Sequence, residues 1–262
     1  MIPQLSIIIP CFNSEKTLEE TLQSVLNQYF SDWEAIIVND GSKDNLEEIA
    51  LKWVNKDSRF KYFKKENGGL GTARNYGILK AQGKFILPLD SDNKIRPVFA
   101  LKALQIFNQN ENIGVIYGNA MYFGEKEGIW EVGSFNIYKM LVHNYIDACS
   151  IIRKSVFDII GHYDTNLPYQ GHEDWDLWLS VINSPFDFYY LEEITFDYRV
   201  SNNSMIKSFD KKMLEDNIEY IQKKHFKLYV NAFMELLSKQ KYIDKTFNNI
   251  IWLKNLKRKL KL

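Results

Sequence analysis

Between Leu5 and Leu89 the chain alternates two kinds of segment, and that alternation leaves very few folds open. Leu5 to Ile9 is a short Ile-rich run bounded by Pro10, the pattern of a strand buried on both faces. From Glu15 to Asn27 the apolar positions Leu18, Leu22, Val25 and Leu26 fall at helical spacing behind Ser14, which fits an N-cap. The change of period then repeats: Trp33 to Val38 reads as a strand, Leu46 to Val54 as a helix, Phe60 to Phe63 as a strand, Ala73 to Ala81 as a helix and Phe85 to Leu89 as a strand. Strands joined through helices pair in parallel by right-handed crossovers, so their C-terminal ends gather at one edge of the sheet, where ligands bind. Three loops are expected there: Pro10 to Ser14, Asn39 to Asp44 and Asp90 to Lys94. Each carries Asp, Asn or Ser, types that grip a nucleotide or metal and are equally favoured in ordinary turns.

With 262 residues, 45% of them apolar, the chain has room for one large α/β domain and a smaller extension. After Val115 the pattern turns toward a mixed sheet. Val115 to Phe123, Ala148 to Ile152 and Phe186 to Val200 are strand-like, Gly128 to Val132 fits a hairpin arm, and Asp174 to Val181 fits a helix carrying Trp175 and Trp178. From Lys211 onward the pattern is helical, which puts a boundary near 208 and divides the chain into domains 1–208 and 209–262. In the second, Met213, Ile218, Ile221, Phe226, Phe233 and Leu236 are expected to bury against the first domain or a partner chain, as in a homodimer.

Charge and cysteines exclude other classes. Lys and Arg number 33 against 33 Asp and Glu, so nothing draws the chain to nucleic acid as a whole. Cys11 and Cys149 lack a zinc-binding spacing and suit a reducing cytoplasm. The N-terminus has no basic leader or cleavage site and reads as a first strand. No stretch approaches the ~18 apolar residues of a membrane span.

Leu87-Pro88-Leu89 delivers Asp90-Ser91-Asp92-Asn93 at a strand end, two carboxylates separated by one small polar residue. Mg²⁺ and Mn²⁺ take few carboxylates together with substrate phosphates, and the loop supplies that set. An Asx-rich turn capping the Pro97 to Phe107 helix would look the same. Taken with Pro10-Cys11-Phe12-Asn13, Val38-Asn39-Asp40-Gly41-Ser42, Asn67-Gly68-Gly69 and Gly71-Thr72-Ala73-Arg74-Asn75, the loop resembles family-2 glycosyltransferases of the GT-A fold in order and spacing over roughly the first 210 residues.

That resemblance implies a Rossmann-like, mostly parallel mixed sheet flanked by helices, with a C-terminal helical extension. It implies an inverting glycosyltransferase that moves a sugar from a UDP-sugar to an acceptor hydroxyl with Mn²⁺ or Mg²⁺. Asp40 would accept a hydrogen bond from the uracil ring, in a pocket lined by Pro10, Cys11 and Asn13, with Glu15 near the ribose or merely in a first helical turn. Asn67 and Gly68 open a helix whose Arg74 faces the phosphates. Asp92 would bind the metal, with Asp90 at the ribose or a metal-bound water and Ser91 between them. In Gly171-His172-Glu173-Asp174-Trp175-Asp176-Leu177-Trp178, Asp174 matches the general base and Glu173 an acceptor-positioning residue. Trp175 and Trp178 either stack on a sugar or belong to the core. Arg199 is a phosphate candidate, while Ser201 stands where the family often has a His that reaches the diphosphate or metal. His162 and His172 lack metal-ligand spacing.

Residues 248–262 combine apolar positions at helical spacing with five basic residues, a pattern that fits an anionic membrane surface at the cytoplasmic face and equally a terminal helix packed on its own domain. The acceptor implied is a glycan or lipid-linked molecule of surface polysaccharide assembly. A catalytically inactive sugar-nucleotide-binding or scaffold subunit is the competing reading, since Ser201 weakens the site.

Overall fold

The computed structural model describes residues 2–201 and 209–241. It opens with β1 (Leu5–Cys11), α1 (Leu18–Leu26), β2 (Trp33–Asp40), α2 (Leu46–Lys56), β3 (Phe60–Lys65), α3 (Leu70–Lys80) and β4 (Phe85–Pro88), the expected alternation with ends moved by up to three residues. Every residue of β1 and β2 is buried, as unbroken apolar runs require of central strands covered on both faces. At the edge, β3 is half-exposed along most of its length. Its Phe60 closes an aromatic cluster with Trp33 and Trp53, each ring edge-on at 5.3 Å. Helix α3 lies hard against the sheet: a Cβ on Gly77 would come 2.4 Å from Ile8 Cγ2, so glycine is needed for that approach.

The second half comprises β5 (Lys94–Ile95), α4 (Phe99–Gln109), β6 (Ile113–Gly124), β7 (Gly128–Trp130), α5 (Ile137–Val142), β8 (Ile151–Arg153), α6 (Lys154–Ile160), α7 (Glu173–Ile182), β9 (Asp187–Val200) and α8 (Lys211–Lys224). One sheet runs β3-β2-β1-β4-β8-β6-β9-β5, with β7 on β6. β1, β2, β3 and β4 are parallel, as are β6 and β9. Between those two groups β8 runs antiparallel to both β4 and β6. It therefore begins beside the end of β4, at the ligand edge. The expected strand Ala148 to Ile152 is displaced: Asp147 to Ser150 forms a bend, in which Cys149 N donates to Asp147 Oδ1 at 2.8 Å and Ser150 Oγ to the Asp147 carbonyl at 2.8 Å.

The chain divides into two compact units, Met1–Tyr220 and Ile221–Leu262. In the second, residues 226–241 are helical. Ile221, Leu228 and Ala232 are buried, whereas Phe226, Phe233 and Leu236 are exposed in the single chain; in the first unit Met213 and Ile218 are half-buried. Residues 202–204 and the basic tail at 248–262 lie outside the described residues. No helix among the described residues is long and apolar enough to cross a membrane.

Candidate active site

The first two loops at the sheet edge are tied to each other. Asn13, at φ 51°, donates its backbone N–H to Ser42 Oγ at 3.0 Å and accepts from Lys43 N through Oδ1 at 3.0 Å. Asn tolerates this left-handed backbone because its short polar side chain bonds locally. Glu15 N donates to Asp44 Oδ2 at 2.8 Å, and the Glu15 carboxylate accepts from Asn45 N at 2.9 Å. Pro10 and Cys11 close the floor at the end of β1. Burial pushes the Cys11 thiol up to about 12, with the Ser14 and Ser91 hydroxyls beside it, so this wall stays neutral.

Asp40, 3% exposed, ends β2 with a saturated carboxylate. Oδ1 accepts from Lys65 Nζ at 2.5 Å and Gly68 N at 3.1 Å; Oδ2 accepts from Gly69 N at 2.8 Å and Asn67 Nδ2 at 3.3 Å. A carboxylate has about four acceptor sites, and these donors fill them. Asp40 thus fixes the turn that starts α3. Gly69 has φ 92°, and a Cβ there would sit 2.0 Å from Gln170 Nε2, whose amide oxygen accepts from Leu70 N at 2.8 Å. That bond ties the α3 turn to the segment leading into α7.

Arg74 is the hub. Its guanidinium is 3% exposed and donates through Nη2 to Asp90 Oδ1 at 2.7 Å. Burial opposes its charge, but the nearby Asp90, Tyr163, Glu173 and Asp174 more than compensate and hold it protonated. Among the described residues, Arg74 Nε and the Tyr163 hydroxyl are buried without a hydrogen-bond partner, and the guanidinium lies 5.3 Å from the centre of the Tyr163 ring.

Carboxylates come to this part of the fold from three places, and of them Asp90, Asp147 and Asp174 lie within electrostatic reach of Arg74. Asp90 and Asp92 follow β4; Asp92 is partly buried, and burial together with the Asp90 charge raises it to about 6. Asp147 precedes β8, and burial plus Asp90 raises it to about 8. Asp174, in the first turn of α7, is raised to about 6 by burial, with Arg74 pulling the other way. Its Oδ2 accepts from Asn144 Nδ2 at 2.8 Å and its Oδ1 from Trp175 N at 2.9 Å. Asp147, Asp90, Asp92 and Asp174 all lie within electrostatic reach of Tyr198. Glu173 is buried and accepts from Gly171 N at 2.9 Å.

Arg199 closes the far side. Its N–H donates to Asn93 Oδ1 at 2.9 Å, its Nε to the Asp92 carbonyl at 3.0 Å, and its Nη2 to Glu20 at 2.9 Å, which locks the end of β9 to the Asp90–Asn93 loop. Trp175 and Trp178 are core residues, with indole N–H groups on the carbonyls of Met140 and Ile146 at 2.7 and 2.9 Å. His172 accepts or donates at Asn217 and burial lowers its pKa; His162 stacks on Phe157. Sequence reasoning missed Asn144, Asp147 and Tyr163. The signal available for Asp147 was a lone acid directly before an expected strand.

Among the described residues, no group of three or more His, Cys, Asp and Glu side chains is arranged to hold a metal ion. The Asp90 and Asp92 pair nevertheless fits a divalent cation of the kind that takes one or two protein carboxylates and fills its remaining positions from phosphate and water. Burial first, and the Asp90 charge second, raise the Asp92 carboxyl, and a cation beside it would offset both.

Known proteins share this arrangement. The profile of "Glycosyl transferase family 2" matches residues 6–163. An uncharacterized glycosyltransferase of Rickettsia typhi is 32% identical over 253 residues, covering 92% of this chain and 74% of that protein. One of Methanocaldococcus jannaschii is 27% identical over 221 residues, covering 80% and 75%. Among solved structures, Staphylococcus aureus TarS 1-349 in complex with UDP-GlcNAc superimposes with a TM-score of 0.69 at 20% identity, over 81% of this chain and 64% of that one. The mannosyltransferase PcManGT of Pyrobaculum calidifontis, in complex with GDP-Man and Mn²⁺, does so with a TM-score of 0.60 at 14% identity, over 78% and 59%. The chain thus spans about two thirds or less of the length of these two structures, which share its GT-A fold. By the extent of the profile match and the Rickettsia relative, the chain belongs to glycosyl transferase family 2 and is a glycosyltransferase.

Proposed function

We propose that this glycosyltransferase moves a sugar from a UDP-sugar to an acceptor hydroxyl with inversion, assisted by Mn²⁺ or Mg²⁺. One observation carries the reading: Asp174, far from Asp90 and Asp92 in sequence, lies with Asp90 within electrostatic reach of the buried Arg74, and all three acids act on Tyr198. The nucleotide and metal ion held by the two solved neighbours support a nucleotide donor and a cation.

The base lies against Pro10, Cys11, Asn13 and the Asn67–Gly68 turn. Asp40 acts mainly through that turn, since a uracil contact must displace Lys65 or Asn67 from its carboxylate. Glu15 holds the start of α2, and the ribose falls to Ser91 and Asp90. Asp92, with Asp90, holds the cation, which when bound neutralises charge on the departing diphosphate. Arg74 and Arg199 face the phosphates from opposite sides. With Ser201 in place of a His, the protein offers that cation one ligand fewer.

Asp174 takes the acceptor proton as the oxygen attacks the anomeric carbon opposite the diphosphate. At about 6, its carboxyl is a stronger base than an ordinary aspartate yet ionised for the most part at neutral pH. Asn144 holds one oxygen and the Trp175 N–H the other, so the acceptor hydroxyl meets a carboxylate already fixed in place. Glu173, bonded to Gly171, shapes the acceptor approach. The acceptor we infer is a glycan or a lipid-linked one, with residues 1–208 as the catalytic domain and 209–262 as an extension.

UDP release over a panel of UDP-sugars with Mn²⁺ tests this. Asp174→Asn should keep UDP affinity and lose ~10²- to 10⁴-fold in turnover, the usual contribution of a general base. Asp92→Asn should lose the metal dependence of UDP binding. Near-normal turnover in Asp174→Asn overturns the assignment.

A further inference from the structure

In the helix at 226–241, Phe226, Val230, Phe233 and Leu237 recur at steps of four, three and four, which places them on one face. They are 65%, 40%, 60% and 41% exposed, and Met234 beside them is 59% exposed. Leu228 and Ala232, on the opposite side of the helix, are buried. Single exposed apolar side chains are ordinary, but five in one stripe mark a contact surface.

Charge says what covers it. From Ile221 to Leu262 the sequence holds eleven Lys and Arg against Glu235 and Asp244, a net charge of +9. The whole chain is neutral, so residues 1–220 carry −9. The helix itself carries Lys227, Lys239 and Lys241 against Glu235, so pairing it with its own copy would set two basic surfaces against each other. A helix with phenylalanines on one face, within a strongly basic segment, matches the interface of an anionic bilayer: rings enter the acyl boundary and ammonium groups meet lipid phosphates. We propose that the face formed by Phe226, Val230, Phe233, Met234 and Leu237 docks this glycosyltransferase on an anionic lipid surface. The proposal does not rest on the donor, metal or base assignments.

Flotation of the full chain with vesicles of phosphatidylglycerol and phosphatidylcholine in equal parts, against phosphatidylcholine alone, tests it. The chain should float with the anionic vesicles only, and high salt should weaken this. Phe226→Ser/Phe233→Ser should bind at least about tenfold more weakly, since each ring's burial is worth more than a factor of ten. Phe233→Leu, which keeps an apolar side chain, should float nearly as the parent, and thermal melts establish that both variants are folded. Equal flotation of parent and double variant overturns the proposal in favour of the basic tail alone. So does a parent that ignores the vesicles but forms an oligomer, seen by light scattering, that the double variant abolishes.

Discussion

Replacing Arg74 by Met tests how the cleft is held together. The guanidinium is 3% exposed, bonded to Asp90 at 2.7 Å, and within electrostatic reach of Glu173 and Asp174. Methionine keeps the length and apolar stem while removing the charge. Breaking a buried ion pair from one side costs ~3–5 kcal/mol, because the partner charge stays behind. Asp90 is 31% exposed, so water takes back part of that loss and the low end, ~3 kcal/mol, applies. For a chain of this size 1 kcal/mol is about 2–4 °C, so Arg74→Met should melt about 6–12 °C lower. Arg74→Met/Asp90→Asn removes the stranded charge and should recover about half of the loss, ~1.5 kcal/mol, so the two substitutions are not additive. Urea titrations of the four proteins measure it. If the double variant is no more stable than Arg74→Met, the cation is not holding the acids together and the site is organised by packing alone.

Two further outcomes follow from the same cleft. With Asp174 at about 6, kcat/KM should fall about tenfold per pH unit below that value, whereas an unshifted aspartate would sustain the rate to about pH 4. Asp92, Asp147 and Asp174 all sit above their unfolded values, so the stability they contribute is complete below about pH 4 and is lost as pH rises through about 6 to 8. The ligand-free chain should accordingly melt higher at pH 6 than at pH 8, and a flat profile would contradict the shifts. Tyr163→Phe removes a buried hydroxyl that has no hydrogen-bond partner among the described residues, so it should cost less than ~0.5 kcal/mol or even stabilise, as urea titrations would show. A clear loss of stability would make that hydroxyl structural.

The parallel half of the sheet was legible because it needs two simple signals, unbroken apolar runs and polar residues where they stop; Asp40, Asp90 and Asp92 sit where those signals point. What the runs do not carry is occupancy. Nothing in Asn39-Asp40-Gly41 says that its carboxylate is filled by Lys65, Asn67, Gly68 and Gly69, since those donors lie more than twenty residues away. Likewise Trp175 and Trp178 read as sugar-stacking or core, and only the carbonyls of Met140 and Ile146, outside any periodic pattern, decide for the core.

Asp147 was hidden for a different reason, which lies in strand direction. Acids that follow a parallel strand fall at the ligand edge, and that rule finds Asp90 and Asp92. β8 is only three residues long, is flanked at once by α6, and runs against its neighbours, so the rule inverts: the residues before it reach that edge. The pairing of Phe85 with Arg153 and Ile86 with Ile152 forces this, because each step forward along β4 toward Asp90 is a step backward along β8 toward Asp147. The acid that ended the search at the close of β4 therefore has its counterpart ahead of β8. Three residues are too few for periodicity to reveal a strand, let alone its direction. Any short strand inserted antiparallel into such a sheet should therefore be searched for site residues upstream of its first residue.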